Sequence, residues 1–247
     1  MTIDTAQTTP ARVVFITGGN RGIGLAIANT FARNGDRVAI TSRKDGPIDG
    51  LDSSVGVYVG DVTVQSDVDQ IFAAIEADLG PVQVLIANAG VTNDGLFVKM
   101  SDQAWLDTID TNLTGMFRVA RRASMPMMKA RAGSIILMSS VVAMTGSAGQ
   151  VNYATTKAGM IGFARSLARE LGSRGVRVNV IAPGPIATDM LDALEASQRD
   201  AMTAMVPLGR VGTTDDVAQA ALFLASDAAS YITGAVLPVD GGMGMGH

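Results

Sequence analysis

The sequence predicts an α/β fold: one doubly wound parallel sheet of about seven strands with helices on both faces. Three observations carry that prediction. Short apolar runs alternate with longer stretches of helical period from residue 12 to residue 239. The first run ends in a glycine-rich turn that opens straight into a helical stretch. The 247 residues show no linker-like shift in composition, no internal repeat and no low-complexity tract, which favours a single domain. An apolar fraction of 47% is ample for a core between two helical layers.

The elements follow in order. Residues 12–17 (Val13, Val14, Phe15, Ile16) form a continuous apolar run, as a strand buried on both faces does. Over 22–34, Ile23, Ile27, Thr30 and Phe31 recur at helical spacing, and Gly35 closes the helix. Strands are expected at 38–42 and 55–60, the second ending at Asp61. Val68, Ile71, Phe72, Ile75 and Leu79 make 64–79 helical. Strand 82–87 runs into Asn88-Ala89-Gly90, and 101–128 reads as two successive helices. Strand 134–138 precedes a long helix over 151–171. Strand 176–181 is expected to be broken by Pro183 and Pro185, which cannot donate to a ladder. Residues 186–206 are irregularly helical and rich in Met and Ala; a helix at 215–225 and a strand at 235–239 complete the chain. The polar, threonine-rich residues 1–11 lack the basic start and apolar middle of a signal peptide and are expected to form a flexible tail, leaving 12–247 as the domain.

Composition narrows the chemistry. A net charge of −4 argues against nucleic acid as a partner. The chain has no cysteine, so disulfides, zinc–thiolate sites and thiol nucleophiles are excluded. Its one histidine is the last residue, His247, and no metal site is expected. No apolar run reaches the roughly eighteen residues that a membrane span requires, and the expected location is cytoplasmic. Catalysis must therefore draw on Tyr, Lys, Ser, Asn, Asp or Glu.

Gly18-x-x-x-Gly22-x-Gly24 follows the first strand and opens the first helix. Such glycines allow a tight turn and close backbone approach to a diphosphate, with the positive helix N-terminus facing the anion. The fold expected is thus Rossmann-like, holding a dinucleotide. The end of the second strand reads Thr41-Ser42-Arg43-Lys44, with no carboxylate before Asp45 to accept a ribose 2′-hydroxyl. Arg43, with Arg21 in the glycine turn, suits a 2′-phosphate, because guanidinium groups pair with phosphate oxygens. NADP(H) is therefore expected over NAD(H). Asp61, at the carboxyl edge of the third strand, is a candidate acceptor for the adenine amino group, while a helix N-cap role suits Thr63 better. Asn88-Ala89-Gly90 ends the fourth strand at the same edge, where a glycine permits close approach to a ribose.

Tyr153 and Lys157 lie one helical turn apart, and Tyr153 follows Ser140 by thirteen residues. A tyrosine can protonate a carbonyl under reduction if a nearby cation lowers its pKa from about 10. Lys157 shares a helix face with Tyr153 and is expected to supply that cation. Ser140 would hold the carbonyl oxygen, and Asn112 could support a water chain that resupplies the proton.

These residues resemble the short-chain dehydrogenase/reductase family. The likeness runs from residue 12 onward through the Thr17-to-Gly24 turn, Asn88-Ala89-Gly90, Asn112, Ser140, Tyr153-x-x-x-Lys157 and Pro183-Gly184. It implies that Asn112, Ser140, Tyr153 and Lys157 are catalytic, with Lys157 also on the nicotinamide ribose and Thr188, backed by Ile186, on the carboxamide. The implied cofactor set is Gly18, Asn20, Arg21, Gly22, Ile23, Gly24, Arg43, Asp61, Val62, Asn88, Ala89, Gly90, Tyr153, Lys157, Pro183, Gly184, Ile186 and Thr188. The family's usual Asn-Asn-Ala-Gly has Ala87 in first place here. Ser139 adjoins Ser140; the gap to Tyr153 selects Ser140, and strand alternation would turn Ser139 to the opposite face.

Within the family the chain is similar to 3-oxoacyl-[acyl-carrier-protein] reductases of the mycobacterial mycolic-acid-pathway type. Residues 18–28, Asn112-Leu113-Thr114-Gly115 and 239–247 carry that likeness. It implies NADPH-dependent reduction of a 3-oxoacyl thioester, on acyl carrier protein or CoA, to the 3-hydroxyacyl form in fatty-acid elongation. Arg131 and Arg174 match arginines that dock the acidic carrier protein. Met190, Leu191, Leu194, Met202 and Met205 make 186–206 a candidate lid over an acyl chain, or equally a core helix. A homotetramer is also implied, and the small residues Ala154, Ala158, Gly159 and Gly162 would permit close helix packing against a partner or against this chain's own sheet. Two rival readings stand beside this one: a short-chain reductase for another ketone, a sugar or a steroid, and a protein that senses NADPH without catalysis.

Overall fold

Residues 11–188, 191 and 195–246 are described by the structure, a computed structural model. Seven strands form one sheet: β1 (Val13–Thr17), β2 (Arg37–Ser42), β3 (Gly56–Val59), β4 (Val84–Ala87), β5 (Gly133–Met138), β6 (Val176–Pro183) and β7 (Val236–Val239). Their order is β3-β2-β1-β4-β5-β6-β7, and every neighbouring pair is parallel. The helices are α1 (Gly22–Arg33), α2 (Gln65–Asp78), α3 (Asp102–Ile109), α4 (Met116–Ala130), α5 (Val142–Thr145), α6 (Val151–Leu171), α7 (Ala196–Ala204) and α8 (Thr214–Ala225).

Alternation along the strands splits the core in two. Val13 and Phe15 of β1 pack with Phe72 and Ile75 of α2, Val119 and Met127 of α4 and Met160 of α6. Val14 and Ile16 point the other way, to Ile27 and Phe31 of α1 and Val217 and Leu224 of α8. Burial on both faces is why these strands read as unbroken apolar runs. On the first face Phe15 meets Phe72 edge to face, with ring centroids 5.2 Å apart.

The chain winds outward in both directions from β1, so a crevice opens where β1 and β4 end side by side. The long helical stretch breaks at Asp110–Gly115, a wider π turn between α3 and α4. Gly115 is required there: a Cβ would lie 2.8 Å from Val62 Cγ2. Two expectations need correction. Strand β6 continues through Pro183, because that residue pairs with Val239 through its neighbours and uses only its carbonyl, which accepts from the Val141 N–H at 2.8 Å. The N-cap of α2 is Val64, with no side-chain cap, and not Thr63.

Candidate active site

The glycine turn is built against its surroundings. Gly18 has φ +65°, and a Cβ there would sit 3.0 Å from Ala89 Cα. At Gly24 a Cβ would lie 2.2 Å from the Gly18 carbonyl oxygen and 2.6 Å from Asn88 Nδ2, so any side chain would force turn and helix apart. Asn88 Nδ2 donates to the Thr17 and Gly18 carbonyls at 3.1 and 3.0 Å. In return Thr17 Oγ1 accepts from the Asn88 and Ala89 N–H groups, both at 3.0 Å. These bonds lock the ends of β1 and β4 together. The N-terminus of α1, capped at Arg21 by no side chain and with no acidic residue in its first turn, faces the crevice. Exposed backbone N–H groups and a positive helix end suit a diphosphate, so the cradle fits a dinucleotide.

Beside the turn, the register Thr17↔Thr41 brings the end of β2 alongside. Ser42 Oγ donates to the Lys44 carbonyl at 2.9 Å and shapes a turn that leaves Arg43 and Lys44 exposed. Asp61 Oδ1 accepts from the N–H and hydroxyl of Thr63 at 2.9 and 2.8 Å, so one carboxylate oxygen is committed to a local turn. Val62 is buried in the core against Gly115.

The other wall of the crevice is α6. Tyr153, in its first turn, is half-buried, with the Ser140 side chain close enough to act on its hydroxyl. Lys157 is buried; its Nζ donates to the Met138 carbonyl at 2.6 Å and stands 5.4 Å from the centre of the Tyr153 ring. A Cβ on Gly90 would lie 3.2 Å from Asn112 Oδ1 and 3.5 Å from Lys157 Nζ, so the end of β4, the π turn and α6 converge on one spot. Ser139 is taken up elsewhere: its hydroxyl donates to the Lys157 carbonyl at 2.8 Å. Both serines therefore face α6. The alternation expected to separate them no longer applies, because β5 ends at Met138.

One expectation about this cluster changes. Lys157 was expected to lower the Tyr153 pKa; instead burial raises it, the Ser140 hydrogen bond lowers it by less, and the Asp94 charge adds to the rise. Burial also brings Lys157 down to about 8. At neutral pH the phenol keeps its proton and the lysine remains mostly an ammonium. Asn112, fully buried, is a staple: Oδ1 accepts from the Val91 N–H at 2.7 Å, while Nδ2 donates to the Val91 carbonyl at 2.9 Å and to Thr156 Oγ1 at 3.2 Å. Both amide hydrogens are engaged, so a water chain at Asn112 would have to meet another of its atoms.

Residues to which the sequence assigns no role complete the wall. Buried Asn152 donates to the Asn93 carbonyl at 2.9 Å and to Thr108 Oγ1 at 3.1 Å, and its Oδ1 accepts from the Tyr153 N–H at 2.8 Å. Gln150 Nε2 donates to Asp94 Oδ2 at 2.8 Å. Asp240 Oδ1 and Oδ2 accept from the Gly242 and Gly244 N–H groups at 2.9 and 2.7 Å. That folds the C-terminal turn under Val141, next to Ser140. The sequence places Asp240 in the 239–247 likeness, before two glycines, with no role of its own.

Over the crevice, a Cβ on Gly184 would lie 2.7 Å from Asp240 Cα. Buried Ile186 bridges to Gly212. Thr188 hangs above the glycine turn, its Cγ2 3.5 Å from where a Gly22 Cβ would be. Asn20 is exposed and Ile23 half-buried on the same turn. Of the expected lid, Met190 and Leu194 lie outside the described residues. Leu191 and Met202 are half-buried, and Met205 is 55% exposed. Just after α7, Val206 rests against Gly241.

Arg131 and Arg174 do not join this site. They precede Gly133 and Val176, where β5 and β6 begin, on the edge opposite Ser140 and Pro183. The six residues of β5 put roughly 20 Å of strand between the two edges. Arg131 donates to the Ser173 carbonyl at 3.2 Å, and both arginines are exposed.

A dinucleotide cradle at the switch point of a parallel sheet, with a Ser–Tyr–Lys cluster across the crevice, defines a nicotinamide-dependent oxidoreductase. Comparison with known proteins agrees. A family model described as enoyl-(acyl carrier protein) reductase matches residues 18–244. The chain is 49% identical over 237 residues to the 3-oxoacyl-[acyl-carrier-protein] reductase MabA of Mycobacterium avium, covering 96% of this chain and 91% of that protein. It is 45% identical over 238 residues to 3-oxoacyl-[acyl-carrier-protein] reductase FabG of Salmonella typhimurium, covering 95% and 98%. Against the Escherichia coli FabG the identity is 44% over 238 residues, with the same coverage. The chain belongs to the short-chain dehydrogenase/reductase family. Among the described residues no helix is long and apolar enough to cross a membrane.

Proposed function

We propose that this protein uses NADPH to reduce the 3-oxo group of an acyl thioester, carried on acyl carrier protein or CoA, to the 3-hydroxyacyl form in fatty-acid elongation. The observation that carries the reading is the convergence of Ser140, Tyr153 and Lys157, with Ser140 acting on the phenol and the Lys157 Nζ 5.4 Å from the ring centre. The names of the MabA and FabG relatives supply the substrate class.

In this reading Ser140 donates a hydrogen bond to the substrate carbonyl oxygen, and Tyr153 gives that oxygen its proton. Lys157 steadies the phenolate left behind, since a cation held in a buried site acts strongly on charge as it develops. A bound reduced nicotinamide supplies the hydride. Gly18 to Gly24 and Asn88-Ala89-Gly90 hold the cofactor's diphosphate and ribose, and residues 183–188 cover it. Arg43 and Arg21 take the 2′-phosphate, which makes NADPH the preferred form. Asn112 serves by fixing Val91 and Thr156, and so the spacing between β4 and α6.

The assembly proposed is a homotetramer in the cytoplasm. Ala158 and Gly162 on α6 are exposed, turned away from this chain's sheet, whereas Gly159 meets Leu113. Carrier docking by Arg131 and Arg174 then requires a neighbouring copy whose catalytic edge approaches that end of the sheet.

The test is steady-state turnover of 3-oxoacyl thioesters of increasing length with NADPH and NADH, beside 2-enoyl thioesters, simple ketones, sugars and steroids. The proposal expects 3-oxoacyl thioesters with NADPH to give the highest kcat/KM. Preference for any other class would overturn it, and NADPH binding without turnover on the whole panel would point to a sensor.

A further inference from the structure

We infer that Asp94 and Gln150 are positioning residues for the proton donor, forming a clasp that ties the loop after β4 to the start of α6. The inference rests on the reading of Tyr153 as that donor. Three contacts join the two segments within a few residues. The Gly95 N–H donates to the Gly149 carbonyl at 2.8 Å. Gln150 Nε2 donates to Asp94 Oδ2 at 2.8 Å. Asn152 Nδ2 donates to the Asn93 carbonyl at 2.9 Å. The second oxygen of Asp94 accepts from the Thr92 hydroxyl, which fixes the carboxylate to its own loop.

Position gives these contacts their consequence. The loop starts at Asn88-Ala89-Gly90; Thr17 pins Asn88 and Ala89 to the end of β1, and Asn112 pins the next residue, Val91, to the π turn. The other segment ends at Tyr153. The clasp therefore closes a ring from the glycine turn, through the β4 loop, to the phenol. Gly149 has φ +83°, a conformation that turns its carbonyl back to Gly95 and that another residue would strain to adopt. Asp94 of this loop acts on the phenol and the Lys157 ammonium of α6 stands 5.4 Å from its ring; α5 and residues 139–140 carry no charge. An exposed hydrogen bond adds little stability by itself. A displacement of a reacting group by about 1 Å, however, can cost roughly a hundredfold in rate. The clasp thus matters for geometry more than for folding.

The pair can be inverted. Gln150→Glu sets two carboxylates against each other and opens the clasp. Adding Asp94→Asn restores one donor and one acceptor with their order reversed. Hydrogen exchange of the Gly95 amide and single-turnover rates should be measured on wild type, Q150E, D94N and the double variant, with NADPH affinity by fluorescence titration. Q150E should speed Gly95 exchange and slow turnover by about tenfold or more each, with NADPH affinity changed less than about twofold. The double variant should return exchange and turnover to within about threefold of wild type. Wild-type behaviour in Q150E, or a double variant no better than Q150E, would overturn the clasp. Exchange cycling as expected in a protein whose wild type reduces no 3-oxoacyl thioester would instead sink the functional reading and leave the clasp standing.

Discussion

Raising the pH from 7 to 9 should stabilise the wild-type protein relative to Lys157→Met by about 1 kcal/mol. Burial pulls the Lys157 pKa from 10.5 to about 8 in the folded chain, and unfolding returns it to its ordinary value. Between those two values the unfolded chain binds more protons than the folded one, so stability rises with pH. Below about 8 both states are protonated and the cost of the buried ammonium is fully present; the gap of about 2.5 units puts that cost near 3 kcal/mol. Only part is relieved by pH 9, because the folded lysine loses its proton gradually around 8. Tyr153, whose pKa is raised above the usual 10, contributes nothing in this window. Urea unfolding followed by circular dichroism at pH 7, 8 and 9, at one protein concentration, measures the difference between wild type and K157M and cancels groups common to both. A difference that stays flat or falls with pH would refute the reasoning.

Other substitutions probe the remaining parts. Arg43→Ala should weaken NADPH binding by about 10- to 100-fold and leave NADH binding unchanged, as fluorescence titration would show, because one charge-assisted pair to a phosphate is lost. Gly24→Ala should destabilise the fold by on the order of 3 kcal/mol and abolish dinucleotide binding, measured by thermal unfolding with and without NADPH, since its Cβ would lie 2.2 Å from a backbone oxygen. Asn112→Ala should cost about 2 kcal/mol in urea unfolding, because the part-buried N–H and carbonyl of Val91 lose their partner.

The fold was legible because its central strands are buried on both faces and so stand out as apolar runs between helical periods. Pro183 misled for a physical reason: a proline ends a strand only where its N–H is needed, and β6 needs only its carbonyl there. The π turn at Asp110–Gly115 left no mark in the hydrophobic period. Residues whose type states their chemistry, such as Ser140, Tyr153 and Lys157, could be picked out and are brought together. Their supports could not, because Gln150 to Asp94 and Asn152 to Asn93 are contacts across 56 and 59 residues. Helical spacing placed Lys157 near Tyr153 correctly, yet it said nothing of burial, which raises the phenol's pKa. For Arg131 and Arg174, spacing matched the sequence pattern but could not tell which end of the sheet each occupies.

The most direct measurement is the Tyr153→Phe variant, assayed for NADPH binding by fluorescence and for single-turnover reduction of a 3-oxoacyl thioester. Removing one hydroxyl should leave NADPH affinity within about twofold and lower the rate by roughly 10² to 10⁴, the range for loss of a general acid. A variant that reduces the substrate at the wild-type rate would contradict the assignment of Tyr153 as the proton donor.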